Sequence, residues 1–122
     1  HSDLTRAVLA EFGDDPSALV AFSLTAKPGD YATFAPKVIA AAKASDRHAQ
    51  ALMQEGAAYY IRALKALDFT PGDPLCLLGG IGPHYANFLP KDHLPGQIKP
   101  QGAALDGAFH LLCKATAEEA LP

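Results

Sequence analysis

Cysteine is scarce in this chain, with only Cys76 and Cys113 among 122 residues. Two thiols so far apart make neither a disulfide framework nor a thiolate metal site, so both are expected to be small buried hydrophobes. Clusters of basic residues are missing too. Ten Lys and Arg lie scattered among thirteen Asp and Glu, for a formal charge of -3. A protein that grips nucleic acid by its phosphates needs its cations gathered in one patch, so no nucleic-acid partner is expected. No apolar run approaches the roughly 20 residues of a bilayer span. The opening HSDLTRAVLAEFG lacks the basic leader, apolar stretch and small-residue cleavage site of an export signal. A cytoplasmic protein with no membrane association is the expectation. The five histidines, His1, His48, His84, His93 and His110, include no pair at the short spacing zinc ligands usually show, so no metal site is expected.

What is present is an ordinary globular composition, 49% hydrophobic and 19% charged, with enough length for one domain and one core. The first part reads as helical. Ser2 or Asp3 caps LTRAVLAEFG, where Leu4, Val8 and Phe12 recur every fourth residue and Gly13 closes the helix. Asp15 and Pro16 supply a cap and a first helical residue for a second helix. KPGD is expected to break the chain. Pro36 has no backbone donor and belongs in a first turn, which starts the next helix, YATFAPKVIAAAKAS, near Thr33. Asp46 caps the longest helix, in which Ala49, Leu52, Met53, Ala57, Tyr60, Ile61, Leu64 and Leu67 form one apolar stripe of core residues.

After the turn TPGDP comes PLCLLGGIGPHYANFL. Residues 75–78 are apolar on both faces, as in a buried strand of a parallel sheet, and they end at Gly79 and Gly80. Gly82 and Pro83 then provide a cap and a first helical residue. Strand, paired glycine and helix in that order is a common seat for the phosphate or ribose of a nucleotide. A bare backbone at Gly79 and Gly80 either makes a tight turn with positive φ or lets a ligand come close. An extended piece, QIKP, leads to a last helix with Leu105, Ala108, Leu112 and Ala115 on one side. Two short strands cannot cover both edges and faces of such a sheet. The chain is therefore expected to be the carboxyl-terminal piece of a longer protein.

Three stretches in order, ASDRHAQALMQEGA, LCLLGGIGPHY and KPQGAALDGAFHLL, resemble the carboxyl-terminal part of the actin-like ATPase superfamily of sugar kinases and Hsp70-like proteins. More narrowly, they look like the N-acetylglucosamine kinase and benzoyl-CoA-reductase-activator type of ATPase, and within it the glucosamine kinases. The resemblance implies a helix-rich α/β fold, a partial RNase H-like domain completed by segments outside this chain. Residues 1–70 would be its helical part and residues 74–119 its strand-helix-strand-helix adenosine segment. It also implies that the backbone of Gly79 and Gly80 faces the adenine and ribose of ATP, with His84 as a neighbour and Thr33 on the other side of the base. A helix cap is an equal reading for Thr33. Gly107 and Ala108 would let the last helix pack closely beside the adenosine strand. Asp106 reads as solvated or as a local hydrogen-bond acceptor rather than as a catalytic group.

Phosphoryl transfer rests on positioning and charge stabilisation around the γ-phosphate and its metal. In kinases of this group those parts come from an amino-terminal phosphate loop, a second phosphate loop and a catalytic Asp, and none of these patterns occurs in this sequence. This piece alone is therefore expected not to catalyse, and any Mg2+ would ride on the ATP phosphates. The partners implied are ATP or ADP, an amino sugar, the amino-terminal portion of the same protein and a homodimer mate. Two rivals stand beside this reading. One is an activator-type ATPase that couples ATP hydrolysis to electron transfer, which needs accessible cluster-ligating thiolates; the other is a non-catalytic helical interaction module.

Overall fold

Short side chains that satisfy free backbone donors fix where the first helices start. A computed structural model describes residues 1–119, with side chains through Thr116. Ser2 accepts from the Thr5 amide to begin α1 (Asp3–Ala10), and Asp15 accepts from the Ser17 amide to begin α2 (Pro16–Thr25). Helix α1 stops short of Phe12, because Gly13 (φ 65°) and Asp14 (φ 58°) turn the chain into left-handed conformation. KPGD does not break the chain: Pro28 opens a short helix, α3 (Pro28–Ala32), and the Asp30 carboxylate takes the Lys27 amide at 2.8 Å. Helix α4 (Ala35–Lys43) keeps Pro36 in its first turn. It begins two residues after Thr33, since Thr33 closes α3 and its hydroxyl donates to the Asp30 carbonyl at 2.6 Å. Phe22 lies at the centre of this corner, with ring centroids 5.2 Å from Phe12, 5.4 Å from Tyr31 and 5.8 Å from Phe34.

Helix α5 (Arg47–Ala66) is the spine of the molecule. Ala49, Met53 and Ala57 lie one turn apart on its buried face, and Leu4, Ala42, Leu75, Tyr85 and Leu89 complete the core. The expected stripe was wider than the one observed. Leu52, Tyr60 and Leu67 are exposed, Leu67 to 78%, because only one side of α5 meets other elements of this chain.

Asp46 joins two helix starts with one carboxylate. Its Oδ1 takes the His48 and Ala49 amides at 2.9 and 3.1 Å, and its Oδ2 takes the Leu4 amide at 3.1 Å from 42 residues away. Desolvation pushes its pKa up, but hydrogen bonds from Leu4, the Ser2 side chain, Ala49 and His48 outweigh that and bring it from 3.8 to about 2. A carboxyl group whose folded pKa is depressed contributes stability above its unfolded pKa and loses it as pH falls through the folded one. The α1–α5 junction should therefore loosen between about pH 4 and pH 2. Hydrogen exchange at the Leu4 and Ala49 amides is expected to speed up across that window beyond its intrinsic pH dependence. In Asp46→Asn it should already be fast at neutral pH. Equal protection in both proteins at neutral pH would contradict this role.

Strand β1 (Leu75–Cys76) pairs in parallel with β2 (Gln97–Ile98), Leu75 opposite Gln97 and Cys76 opposite Ile98. Between them lie a one-turn helix, α6 (Gly82–Tyr85), and a 3-10 turn at Lys91–His93. The strand expected over 75–78 covers only its first two residues, because β2 offers no partner for Leu77 and Leu78. Helix α7 (Ala104–Glu119) follows, and Asp106 is exposed and accepts the Ala103 amide at 2.7 Å, the second of the two readings offered for it. The packed side expected at Leu105, Ala108, Leu112 and Ala115 is exposed, as is every residue of α7 through Thr116. Leu105 is 80% exposed and Phe109 67%. Among the described residues, no other segment lies within 4 Å of a Cβ added at Gly107, so that glycine makes no close approach to them. Cys113 is exposed, against the expectation of burial, and Cys76 is half-buried. Among the described residues, no helix is long and apolar enough to cross a membrane.

Candidate functional site

Beyond β1, the chain turns through Gly79, Gly80 and Ile81 into α6. Both glycines are exposed, and a Cβ built on either would meet nothing within 4 Å. Their reasons for being glycine differ. Gly79 has φ 75°, the left-handed region where a side chain is strained, so the turn itself explains it. Gly80 lies outside that region and is not crowded, so neither its conformation nor its neighbours require a missing side chain. Gly29 and Gly107 share that property, but neither lies in a turn between a strand and a helix. Gly82 is the opposite case: a Cβ there would stand 3.2 Å from the Leu77 carbonyl carbon, so α6 starts hard against the end of the β1 segment. The residue capping α6 is Ile81 rather than Gly82, and Pro83 lies in the first turn.

His84 lines a cavity of about 230 Å³ between α4, α5 and α6. Ile39, Met53 and Phe88 give it apolar walls, while Lys43, Gln50, His84 and Asn87 bring polar groups to it. Gln50 is steadied by donation from Nε2 to the Ala42 carbonyl at 3.4 Å. His84 and Asn87 are three residues apart, which stacks them on one side of a helical turn. That spacing was a signal available in the sequence. Lys43 and Gln50 gave none, because only tertiary packing brings α4 and the start of α5 to α6. Of the four site residues read from the sequence, His84 lines this cavity, Gly79 and Gly80 form the open turn ahead of α6, and Thr33 is exposed on the α3–α4 turn and does not line the cavity. A second, mainly apolar cavity of about 160 Å³ lies against the β1 segment, among Tyr60, Leu75, Leu77, Leu78, Tyr85 and Leu89. Among the described residues no group of three His, Cys, Asp or Glu side chains comes together as a metal-binding set.

Helix-rich, with one parallel strand-helix-strand unit, the chain matches part of a kinase fold. A solved structure from Chromobacterium violaceum, provisionally named an N-acetylglucosamine kinase, aligns with a TM-score of 0.79 at 37% identity, over 92% of this chain and 39% of that one. Glucosamine kinase GspK of Vibrio cholerae is 32% identical over 109 residues, 89% of this chain and 37% of GspK. No family model matches the sequence. The chain is thus similar to parts of two proteins that carry glucosamine kinase and N-acetylglucosamine kinase names. It spans well under half the length of either relative.

Proposed function

We propose that this chain is the carboxyl-terminal part of an ATP-dependent amino-sugar kinase and builds one wall of its nucleotide cleft. The observation that carries this reading is Gly80, a residue without a side chain in the turn four residues beyond β1, in open space, where nothing among the described residues calls for glycine. Absence of a Cβ lets the backbone lie flat against a purine or ribose. His84, one turn further on, would stand beside that ligand, and the amides of Gln50 and Asn87 in the adjoining cavity match the polar edge of a base. Thr33 remains the residue proposed for the far side of the base.

The rest of the assignment concerns the whole protein. Residues 74–119 would belong to the second domain of an actin-like ATPase, with residues 1–70 as its helical part. The amino-terminal portion would cover the apolar side chains of α7 and the free edges of the β1–β2 pair, which two strands cannot protect alone. It would also supply the phosphate loops and the catalytic base. A homodimer mate is a further proposed partner. ATP supplies the phosphoryl group when bound, and glucosamine or N-acetylglucosamine accepts it. Mg2+ would be held by the ATP phosphates and by residues outside this chain. What the described residues contribute is binding and orientation of the nucleoside, and cytoplasmic residence fits that substrate supply. The activator-type alternative gains one accessible thiol, the exposed Cys113, but Cys76 lies half-buried within β1 and both relatives carry sugar-kinase names.

Saturating ADP should raise the melting temperature of the full-length protein by about 5 °C, as expected for a ligand at roughly 100 times its Kd. ATP-dependent phosphorylation should follow with glucosamine or N-acetylglucosamine. A melting temperature indifferent to ADP, with no transfer to either sugar, would leave an interaction module as the better description.

A further inference from the structure

Helix α6 has a single turn, four residues long, and so cannot hold its own orientation. Two contacts hold it. Gly82 abuts the Leu77 backbone, and the ring of Tyr85 lies directly on α5 at Gly56. A Cβ added at Gly56 would fall 2.8 Å from Tyr85 Cζ and 2.9 Å from Cε1, and closer still to the hydroxyl oxygen. Tyr85 is largely enclosed, though it also borders the cavity of about 160 Å³ against the β1 segment. It is 8% exposed, and the Tyr60 ring meets it edge-on with centroids 4.9 Å apart. Burial pushes the Tyr85 hydroxyl pKa up and the neighbouring Tyr60 adds to the rise, in keeping with a phenol enclosed on this side.

Successive residues of a helical turn point about 100° apart, so the same turn presents Tyr85 to α5 and His84 to the cavity. From this geometry we propose that Tyr85, seated on Gly56, is a positioning residue for nucleotide binding: it sets where the Gly80 backbone and His84 stand relative to α4 and α5. The inference rests on the nucleotide reading above. A methyl group at Gly56 is admitted only if the ring shifts, toward the cavity it borders or together with α6, and a displacement of about 1 Å passed on to the binding site is costly in rate.

Steady-state kinetics and ADP titration of the full-length protein provide the test. Gly56→Ala is expected to raise the Kd for ADP and the KM for ATP roughly tenfold, with the sugar KM unchanged. Tyr85→Phe keeps the ring and should bind like wild type. Tyr85→Leu, which loses the ring, should raise the ADP Kd about fivefold on the same argument. In Gly56→Ala/Tyr85→Leu, relief of the clash should improve binding over Gly56→Ala alone. A purely structural contact would instead lower thermal stability without separating the ATP and sugar constants. If Gly56→Ala does not fold, Tyr85→Leu decides alone. Wild-type ADP affinity in the folded variants would overturn the inference and leave the nucleotide reading intact. A wild-type protein that fails to bind ADP would remove that reading, and the inference with it.

Discussion

Gly96→Ala is expected to destabilise the protein by about 3 kcal/mol, the upper part of the usual range for forcing atoms into filled space. An added Cβ would stand 2.7 Å from the Gly72 carbonyl oxygen and 2.8 Å from the Asp73 carbonyl carbon, and closer still to the Asp73 oxygen. All three are main-chain atoms, which cannot rotate aside as a side chain would. The opposing turn is itself braced: the Asp73 carboxylate takes the Thr70 amide at 2.7 Å and the Thr70 hydroxyl at 2.8 Å. Those two bonds, the amide first, hold the Asp73 pKa below its ordinary value despite some desolvation. Gly96 also supplies the carbonyl that takes the Leu75 amide at 3.0 Å, the bond that starts the strand pairing. Parting the two turns would thus release β1 and the glycine turn it carries. A urea midpoint of the full-length variant equal to that of wild type would mean the turns do not meet so closely.

Gly80→Val is expected to act in the opposite way, harming function while sparing the fold. Its side chain would project into open space, and its backbone lies outside the left-handed region, so the melting temperature should move by less than about 1 °C. A branched side chain between the β1–α6 turn and a flat ring should nonetheless raise the KM for ATP roughly 100-fold, as the loss of a close ligand contact. The sugar KM should change little, because the sugar site is proposed to lie in the other portion of the protein. These two substitutions separate glycines that the chain needs for its own packing from one that it does not.

Local chemistry was legible in the sequence. Ser2, Asp15, Pro16, Pro36 and Asp46 announce helix starts because capping links residues two or three apart. Helix α3 was missed for a related reason: Pro28 and Gly29 read as breakers, whereas Pro is well suited to a first helical turn and Asp30 captures the Lys27 amide. Periodicity could not tell which apolar positions would meet a neighbour. Leu52 and Leu67 fit the α5 stripe as well as Met53 does, and the α7 leucines fit a packed face, yet burial depends on what stands opposite. The length of β1 was hidden for the same reason, since β2 limits the pairing. Gly79 and Gly80 stood out because paired glycines after an apolar run are conspicuous, and His84 came only with the family resemblance. The groups that join His84 at the cavity did not stand out, nor did Tyr85 on Gly56 or Asp46 on Leu4, because each pairing is made only when distant segments fold together.

Calorimetric titration of ADP into full-length wild type and Gly80→Val, with thermal unfolding of both, tests the central claim most directly. The open main chain at Gly80 should be a nucleotide contact, so wild type should bind ADP, and the variant should bind about 100-fold more weakly while unfolding at the same temperature. Equal ADP affinity in two equally stable proteins would contradict it.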